Sequence, residues 1–491
     1  MRTILIMVDT LRYDYLGFTG QKMAQTKALD ELAGESCFFE NAYIGSFPTV
    51  PNREDVNRGL YTFPHHGWGA LPDEAVPLAQ VMADNGHITQ LITDTPHLLG
   101  DGHRYHRGFQ GYYWVRGNEC DTFFTRYNIP FRDLMPYEKT RTDSLLFGKH
   151  PLVEWADWIV ETEMNWEEEY FVARTASTTS KWIEQNYKSE NFFLWVDTFE
   201  CHEPWRPPQY LSDRYDPDYK GYRVTYPVYG YADCYTKEEL QNMRANYAGE
   251  VTLTSKWIGH IIEKLKDTGI YDDTMIIVKS DHGNYLGEHN RAGKMLVEGS
   301  PRKKECPWPH YQEVTHIPLM IKMPGQKKGR RIKELVQPVD IFPTVLDCAG
   351  IKTNLPTDGL SLKPLMQGSR CKWPRKYAFS APMLRTTANL PEYWTTITGE
   401  GWTLMLGGEE DEKMLLYNIE KDPKQQKDVL ESNLDVVQDM AQHYLAFLHQ
   451  VNTNPEKIAL IEARFNKVLA GTKAETTKKT RRSCKSVLQQ A

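Results

Sequence analysis

The sequence predicts an α/β fold: a large, mostly parallel sheet sandwiched by helices, followed by a smaller C-terminal α+β domain. Three observations predict it. Near-continuous apolar runs recur along the first part of the chain, as in strands buried on both faces; amphipathic, helix-length stretches separate them; and the pattern changes at about residue 370. The expected boundaries are an α/β domain over 1–369, a subdomain with a small antiparallel sheet and a helix over 370–465, and a basic, disordered tail over 466–491.

In chain order, "TILIMVD" (3–9), "ITQLITD" (88–94), "FFLWVDT" (192–198), "TMIIVKSD" (274–281) and "IPLMIKM" (317–323) are the expected strands. "TKALDELAGES" (26–36) and the stretch 242–269 are the expected helices. Beyond 370, "KYAFSAPM", "YWTTITGEGWTLMLGG" and "KMLLYNIE" read as short antiparallel strands with Gly-containing turns, and 433–451 as a helix.

Composition narrows the function classes. The 491 residues carry a net charge of −7, which argues against a nucleic-acid partner. No apolar run approaches the ~20 residues that span a bilayer, so no membrane partner is expected. "TILIMVD" reaches an acid with no cleavage site behind it, unlike a signal peptide. The eight cysteines form no C-x-x-C pairs, which fits reduced thiols, and the protein reads as cytoplasmic. Oligomeric state is left open.

In open α/β sheets, ligands bind beyond the carboxyl ends of the strands. Asp9 ends the first strand, "DTFECHEPW" (197–205) brings His202 to the end of another, and "SDHGNYLGEHNRAGK" (280–294) follows a third. A strand-ending acid alone is commonly a turn or helix cap, and a lone histidine commonly packs. Adjacent Asp281 and His282 make a good ligand pair. Together with Asp9 they can hold one divalent ion. Thr49, before a helix expected to begin near Asn52, can direct its hydroxyl at that ion, with Arg53 facing the same anionic ester.

These residues, in this order, resemble the sulfatase family of the alkaline phosphatase superfamily, from residue 3 to about 450. "IMVDT" stands where the family has a strand ending in Asp-Asp, and "TVPNREDVNRGLY" where it has its Cys/Ser-x-Pro-x-Arg signature. "HEPW", "SDHGNYLGEH", "HIPLMIKMPG", "VQPVDIFPTVLDCAGI", "DGLSLKPLMQG" and "LYNIEKDP" follow in the family's order. The resemblance implies that Asp9, Asp281 and His282, with Thr49, are metal ligands, and that Thr49 holds the nucleophile position. It further implies that Arg53 steadies the nucleophile and the anion, that His202 and Lys294 contact the ester and its leaving group, and that His97 belongs to the same shell.

Four departures shape the expectation. Thr10 replaces a second Asp, Thr95 stands where an anion-binding Lys is usual, and His282 where Asn is common. Imidazole moves the metal preference from the family's usual Ca2+ toward Zn2+ or Mn2+. The fourth is Thr49 itself. The family converts Cys or Ser to formylglycine, whose second hydroxyl expels sulfate; threonine keeps a single hydroxyl. Phosphorus accepts in-line attack by one hydroxyl followed by water. The expected function is therefore a metal-dependent hydrolase of small anionic esters, phosphodiesters or phosphonate monoesters. The alternatives are a sulfuric ester hydrolase working without formylglycine, and a non-catalytic binder of an anionic ligand. His289, His310 and His316 show no second-metal spacing and are expected to pack. The stretch 103–121, rich in aromatics and Arg, is either a leaving-group wall or a packed loop.

Overall fold

The computed structural model describes residues 1–119, 121, 164–294, 308–369, 372–384, 394–407 and 413–470. Its main sheet contains β1 (Arg2–Val8), β2 (Cys37–Ala42), β3 (Ile88–Thr93), β4 (Gly111–Trp114), β5 (Phe192–Thr198), β7 (Thr274–Ser280), β10 (Leu319–Lys322) and β11 (Arg330–Val336). A short strand, β6 (Gly230–Tyr231), pairs with β9 (Arg291–Gly293) in a separate three-stranded sheet completed by β8 (Tyr285–Leu286). The spatial order of the main sheet is β11-β2-β10-β7-β1-β5-β3-β4, and only β10 runs against its neighbours.

The central strand β1 is apolar on both faces because both faces are covered. Ile4, Ile6 and Val8 join one core with α1 (Lys27–Ala33), α4 (Phe171–Asn186) and α5 (Lys237–Asp267). Leu5 and Met7 join the other with α2 (Thr49–Arg58), α3 (Leu78–Asp84) and α6 (Ile341–Ala349). The long helix α5 starts earlier than its apolar pattern predicted. Thr236 and Glu239 form a reciprocal capping box, with bonds of 2.8 and 3.2 Å, that sets its first turn. None of the described helices is long and apolar enough to cross a membrane.

A separate antiparallel sheet of β12 (Ala378–Ser380), β13 (Thr395–Gly399), β14 (Trp402–Leu406) and β15 (Met414–Asn418) packs with α7 (Leu434–Gln450) in the C-terminal part. One expectation needs correction here. The sequence predicts a disordered tail from 466, but 455–470 is helical. Ile458, Ile461 and Phe465 are buried at helical spacing against the C-terminal core, and that stripe holds the segment in place. Residues 471–491 lie outside the described residues.

Candidate active site

Parallel register builds the site. Val8 of β1 lies opposite Thr198 of β5 on one side and Ser280 of β7 on the other. The next residues of two adjacent strands, Asp9 and Asp281, therefore emerge side by side at the carboxyl edge. Both are fully buried, as is His282. The turn after Asp281 needs Gly283: a β-carbon there would sit 1.9 Å from the Glu313 carbonyl oxygen.

Thr49 is the first residue of α2, three positions earlier than the sequence pattern suggested. The helix starts there because Pro48 caps it and accepts the Asn52 N–H at 3.1 Å, while Pro51 occupies a first-turn position that needs no N–H donor. The Thr49 hydroxyl lies 3.4 Å from His282 Nε2. That nitrogen is 3.6 Å from Asp281 and 4.0 Å from Asp9. Nδ1 of the same ring donates to the Gly283 carbonyl at 2.9 Å, leaving the Nε2 lone pair toward the carboxylates. Burial pushes His282 down to about 3, so the ring is neutral and a competent ligand.

Arg53 sits beneath this group. Nε and Nη2 fork onto Asp197 at 2.9 and 2.8 Å, Nη1 reaches Asp281 at 2.5 Å and the Thr49 carbonyl at 3.1 Å, and Nη2 lies 3.1 Å from Asp9. Its N–H groups all face protein oxygens, so as placed it organises the carboxylates. Asp197 escaped the sequence reading. The signal was there: a single acid in the otherwise apolar run "FFLWVDT" must find a partner when buried. It finds Arg53, the Thr95 hydroxyl at 2.7 Å and the Trp195 indole N–H at 3.0 Å.

Burial and the neighbouring Asp281 raise Asp9 well above the ordinary carboxylate range. Burial also opposes ionisation of Asp281, but the Arg53 charge, a hydrogen bond with the Asp9 side chain and the Thr10 backbone N–H, which donates at 2.9 Å, outweigh it and hold the group low. Thr10 donates its hydroxyl to Asp9 at 2.6 Å, so it orients one ligand instead of adding another.

His202 stacks on Phe199 at 4.0 Å and 21°, with its Nδ1 2.6 Å from the Glu203 carbonyl oxygen. Lys294 is buried and acts electrostatically on both Asp9 and His282. His97 pairs with Glu119 at 2.7 Å. The stretch 103–121 is thus neither simple alternative: part of it is the sheet strand β4, and Glu119 reaches a candidate site histidine. The other candidate histidines pack: His289 stacks on Tyr311 at 3.6 Å and His316 on Tyr13 at 3.8 Å, while His310 meets Phe47 at 4.3 Å with the rings tilted by 49°. Among the described residues, Asp9, Asp281 and His282 are the one group of three or more such side chains with ligand atoms within 4.8 Å of one another.

The family model described as Sulfatase matches residues 2–351. The chain belongs to the sulfatase family. The C-terminal model of N-sulphoglucosamine sulphohydrolase matches residues 309–451 of this sulfatase-family protein. An arylsulfatase of Clostridium perfringens is 25% identical over 476 residues, covering 87% of this chain and 90% of its own. The multifunctional alkaline phosphatase superfamily protein PehA of Trinickia caryophylli is 24% identical over 439 residues, 75% of this chain and 78% of its own. In fold, the chain is similar to the phosphonate monoester hydrolase of Agrobacterium radiobacter, with a TM-score of 0.70 at 20% identity over 92% of this chain and 96% of that one.

Family membership makes the protein a hydrolase and implies a divalent metal. The residues fit one. Two buried carboxylates and a neutral imidazole converge, with ligand atoms within 4.8 Å of one another.

Proposed function

We propose that this sulfatase-family protein is a metal-dependent phosphoesterase, cleaving phosphodiesters or phosphonate monoesters with Thr49 as nucleophile. The observation that carries the reading is Thr49 itself: a residue with one hydroxyl, at a helix N-terminus, 3.4 Å from His282 Nε2. A single hydroxyl can displace an alcohol from phosphorus and then yield to water, whereas it offers no second oxygen to expel sulfate.

A divalent ion held by Asp9, Asp281, His282 and Thr49 would supply Lewis-acid polarisation and lower the pKa of a hydroxyl. The chain's own groups do the rest. α2 aims the Thr49 hydroxyl at phosphorus, its N-terminal N–H groups favour the anion, and His202 and Lys294 support the departing oxygen. His282 and Thr10 favour Zn2+ or Mn2+ over Ca2+, since one ligand is nitrogen and one acid is missing.

The match to an arylsulfatase over 87% of the chain favours a second reading, a sulfuric ester hydrolase acting with an unmodified hydroxyl. Nitrophenyl phosphodiester, phosphonate, phosphate and sulfate substrates, compared at equal metal loading, separate the two. Faster turnover of the sulfate than of any phosphorus ester would sink the phosphoesterase reading.

A further inference from the structure

We propose that Lys279 is a positioning residue of the site, holding the first turn of α2, and with it Thr49, in place against the strand that carries Asp281. This rests on reading Thr49 as the nucleophile. Lys279 and Asn52 are both buried, and Lys279 Nζ donates to Asn52 Oδ1 at 2.9 Å. Its other hydrogen-bond partner is the Met7 sulfur at 3.5 Å, and Lys279 makes no ion pair among the described residues.

Alternation along β7 puts Met275, Ile277 and Lys279 on one face of the sheet. Met275 and Ile277 join the core that Val56 of α2 also joins, and Met7 of β1 and Leu319 of β10 stand opposite Lys279 in the neighbouring strands. An apolar side chain would serve the fold at position 279. A nitrogen with more N–H groups than oxygen partners costs free energy there. Its use lies in what it grips.

Asn52 Nδ2 donates to the Ser46 carbonyl at 3.3 Å, and the Asn52 backbone N–H to the Pro48 carbonyl at 3.1 Å. One residue thus clasps the chain on its approach to Thr49, and Lys279 fastens that residue to β7. Three positions beyond Lys279 comes His282, whose Nε2 lies 3.4 Å from the Thr49 hydroxyl. The contacts close a ring: Lys279 to Asn52, along the first turn of α2 to Thr49, across to His282, and back down the chain to Lys279. Opening the ring at Lys279 lets α2 shift against the ligand set. Arg53 Nη1 spans Asp281 and the Thr49 carbonyl, a second tie that limits the shift.

A double-mutant cycle tests the proposal, using whichever ester class, phosphorus or sulfur, the wild type turns over. Lys279→Met suits the apolar face and removes the tie. It should lower kcat about 10-fold, part of the ~100-fold that a small misplacement of a reacting group can cost, with KM within about twofold and metal content unchanged. Asn52→Leu cuts the tie from its other end and should give a similar loss. In the double variant, Lys279→Met with Asn52→Leu, both polar partners give way to apolar ones, which is close to neutral or stabilising for a fold. Its urea midpoint should equal or exceed that of the wild type, while kcat stays about 10-fold down and does not fall by the product of the two single losses. The double variant also decides the matter where a single one, leaving one polar group stranded, folds poorly. Wild-type kcat in the double variant, multiplicative losses, a loss that comes with loss of the metal, or a kcat that falls only where the urea midpoint falls overturns the proposal. Labelling of Thr49 is read on the wild type and is independent of these outcomes, so failure here is distinguishable from failure of the nucleophile reading.

Discussion

Arg53 and Asp197 form a forked ion pair with both side chains fully buried, Nε and Nη2 lying 2.9 and 2.8 Å from the carboxylate. The same guanidinium bridges Asp9 and Asp281, so one helix residue ties the ends of three adjacent strands to α2. Removing one partner of a buried pair leaves the other uncompensated, at ~3–5 kcal/mol. Asp197→Asn should therefore lower the unfolding free energy by roughly 3 kcal/mol, seen as a lower urea midpoint, and reduce activity, although Asp197 is not placed against the ester. Arg53→Lys should do no better, because an ammonium cannot reproduce the fork. An unchanged urea midpoint in Asp197→Asn would show that the pair does not hold the site together.

Much of this arrangement was legible in the sequence. Apolar runs ending at Asp9 and Asp281 gave the strands, and parallel pairing explains why both acids share one edge. What the sequence did not reveal lay in partnerships between distant segments. Asp197 reads in the sequence as one more acid near a strand end, and nothing in the run "TMIIVKSD" points to the partner of Lys279, which is fully buried with its ammonium 2.9 Å from the Asn52 side chain. β4 was hidden because Tyr112 and Tyr113 are exposed on an edge strand, where no apolar run is required. α2 begins three residues before the expected Asn52, because Pro48 and Pro51 both suit a helix N-terminus.

Metal content should follow the ligand set. The protein should hold one divalent ion per chain. Asp281→Ala should lose it together with activity, and elemental analysis after dialysis against zinc, manganese and calcium reads the result. His282→Asn exchanges imidazole for an oxygen donor and should move preference toward calcium. If the wild type takes up none of the three, Asp9, Asp281 and His282 are a buried polar cluster with no metal role.

Stability should fall on both sides of mildly acidic pH, for opposite reasons. Burial lifts Glu250 from 4.5 to about 8, against the opposing Arg206 backbone N–H and the Arg223 charge, and lifts Glu200 to about 8. A raised folded-state value means the contribution is fully present below about 4.5 and is lost as pH rises through about 8. His310 runs the other way: burial lowers it to about 3, so its contribution is present above 6.5 and is lost as pH falls toward 3. Glu250→Gln should flatten the alkaline limb of a melting-temperature profile, and His310→Gln the acid limb. A Glu250→Gln profile parallel to wild type between pH 5 and 9 would contradict the alkaline assignment.

Thr49 carries the functional reading, and its variants separate nucleophile from ligand. Thr49→Ala should reduce kcat by several orders of magnitude while the ion stays bound, because Asp9, Asp281 and His282 remain. Thr49→Ser should retain part of the activity: the hydroxyl survives, but the methyl that fixes its rotamer is gone, and small misplacements of a nucleophile cost up to ~100-fold. Mass spectrometry of the peptide spanning Thr49 should show unmodified threonine, and activity should be equal in hosts with and without the formylglycine-generating enzyme. Rapid quench with a labelled phosphodiester should place the label on Thr49, and on nothing in Thr49→Ala. Thr49→Cys, produced where formylglycine is installed and where the surrounding sequence is accepted, should shift preference toward sulfate esters, because the aldehyde hydrate restores the second hydroxyl. Label recovered from His282 or His202 in place of Thr49 would move the nucleophile elsewhere, leaving Thr49 a ligand only.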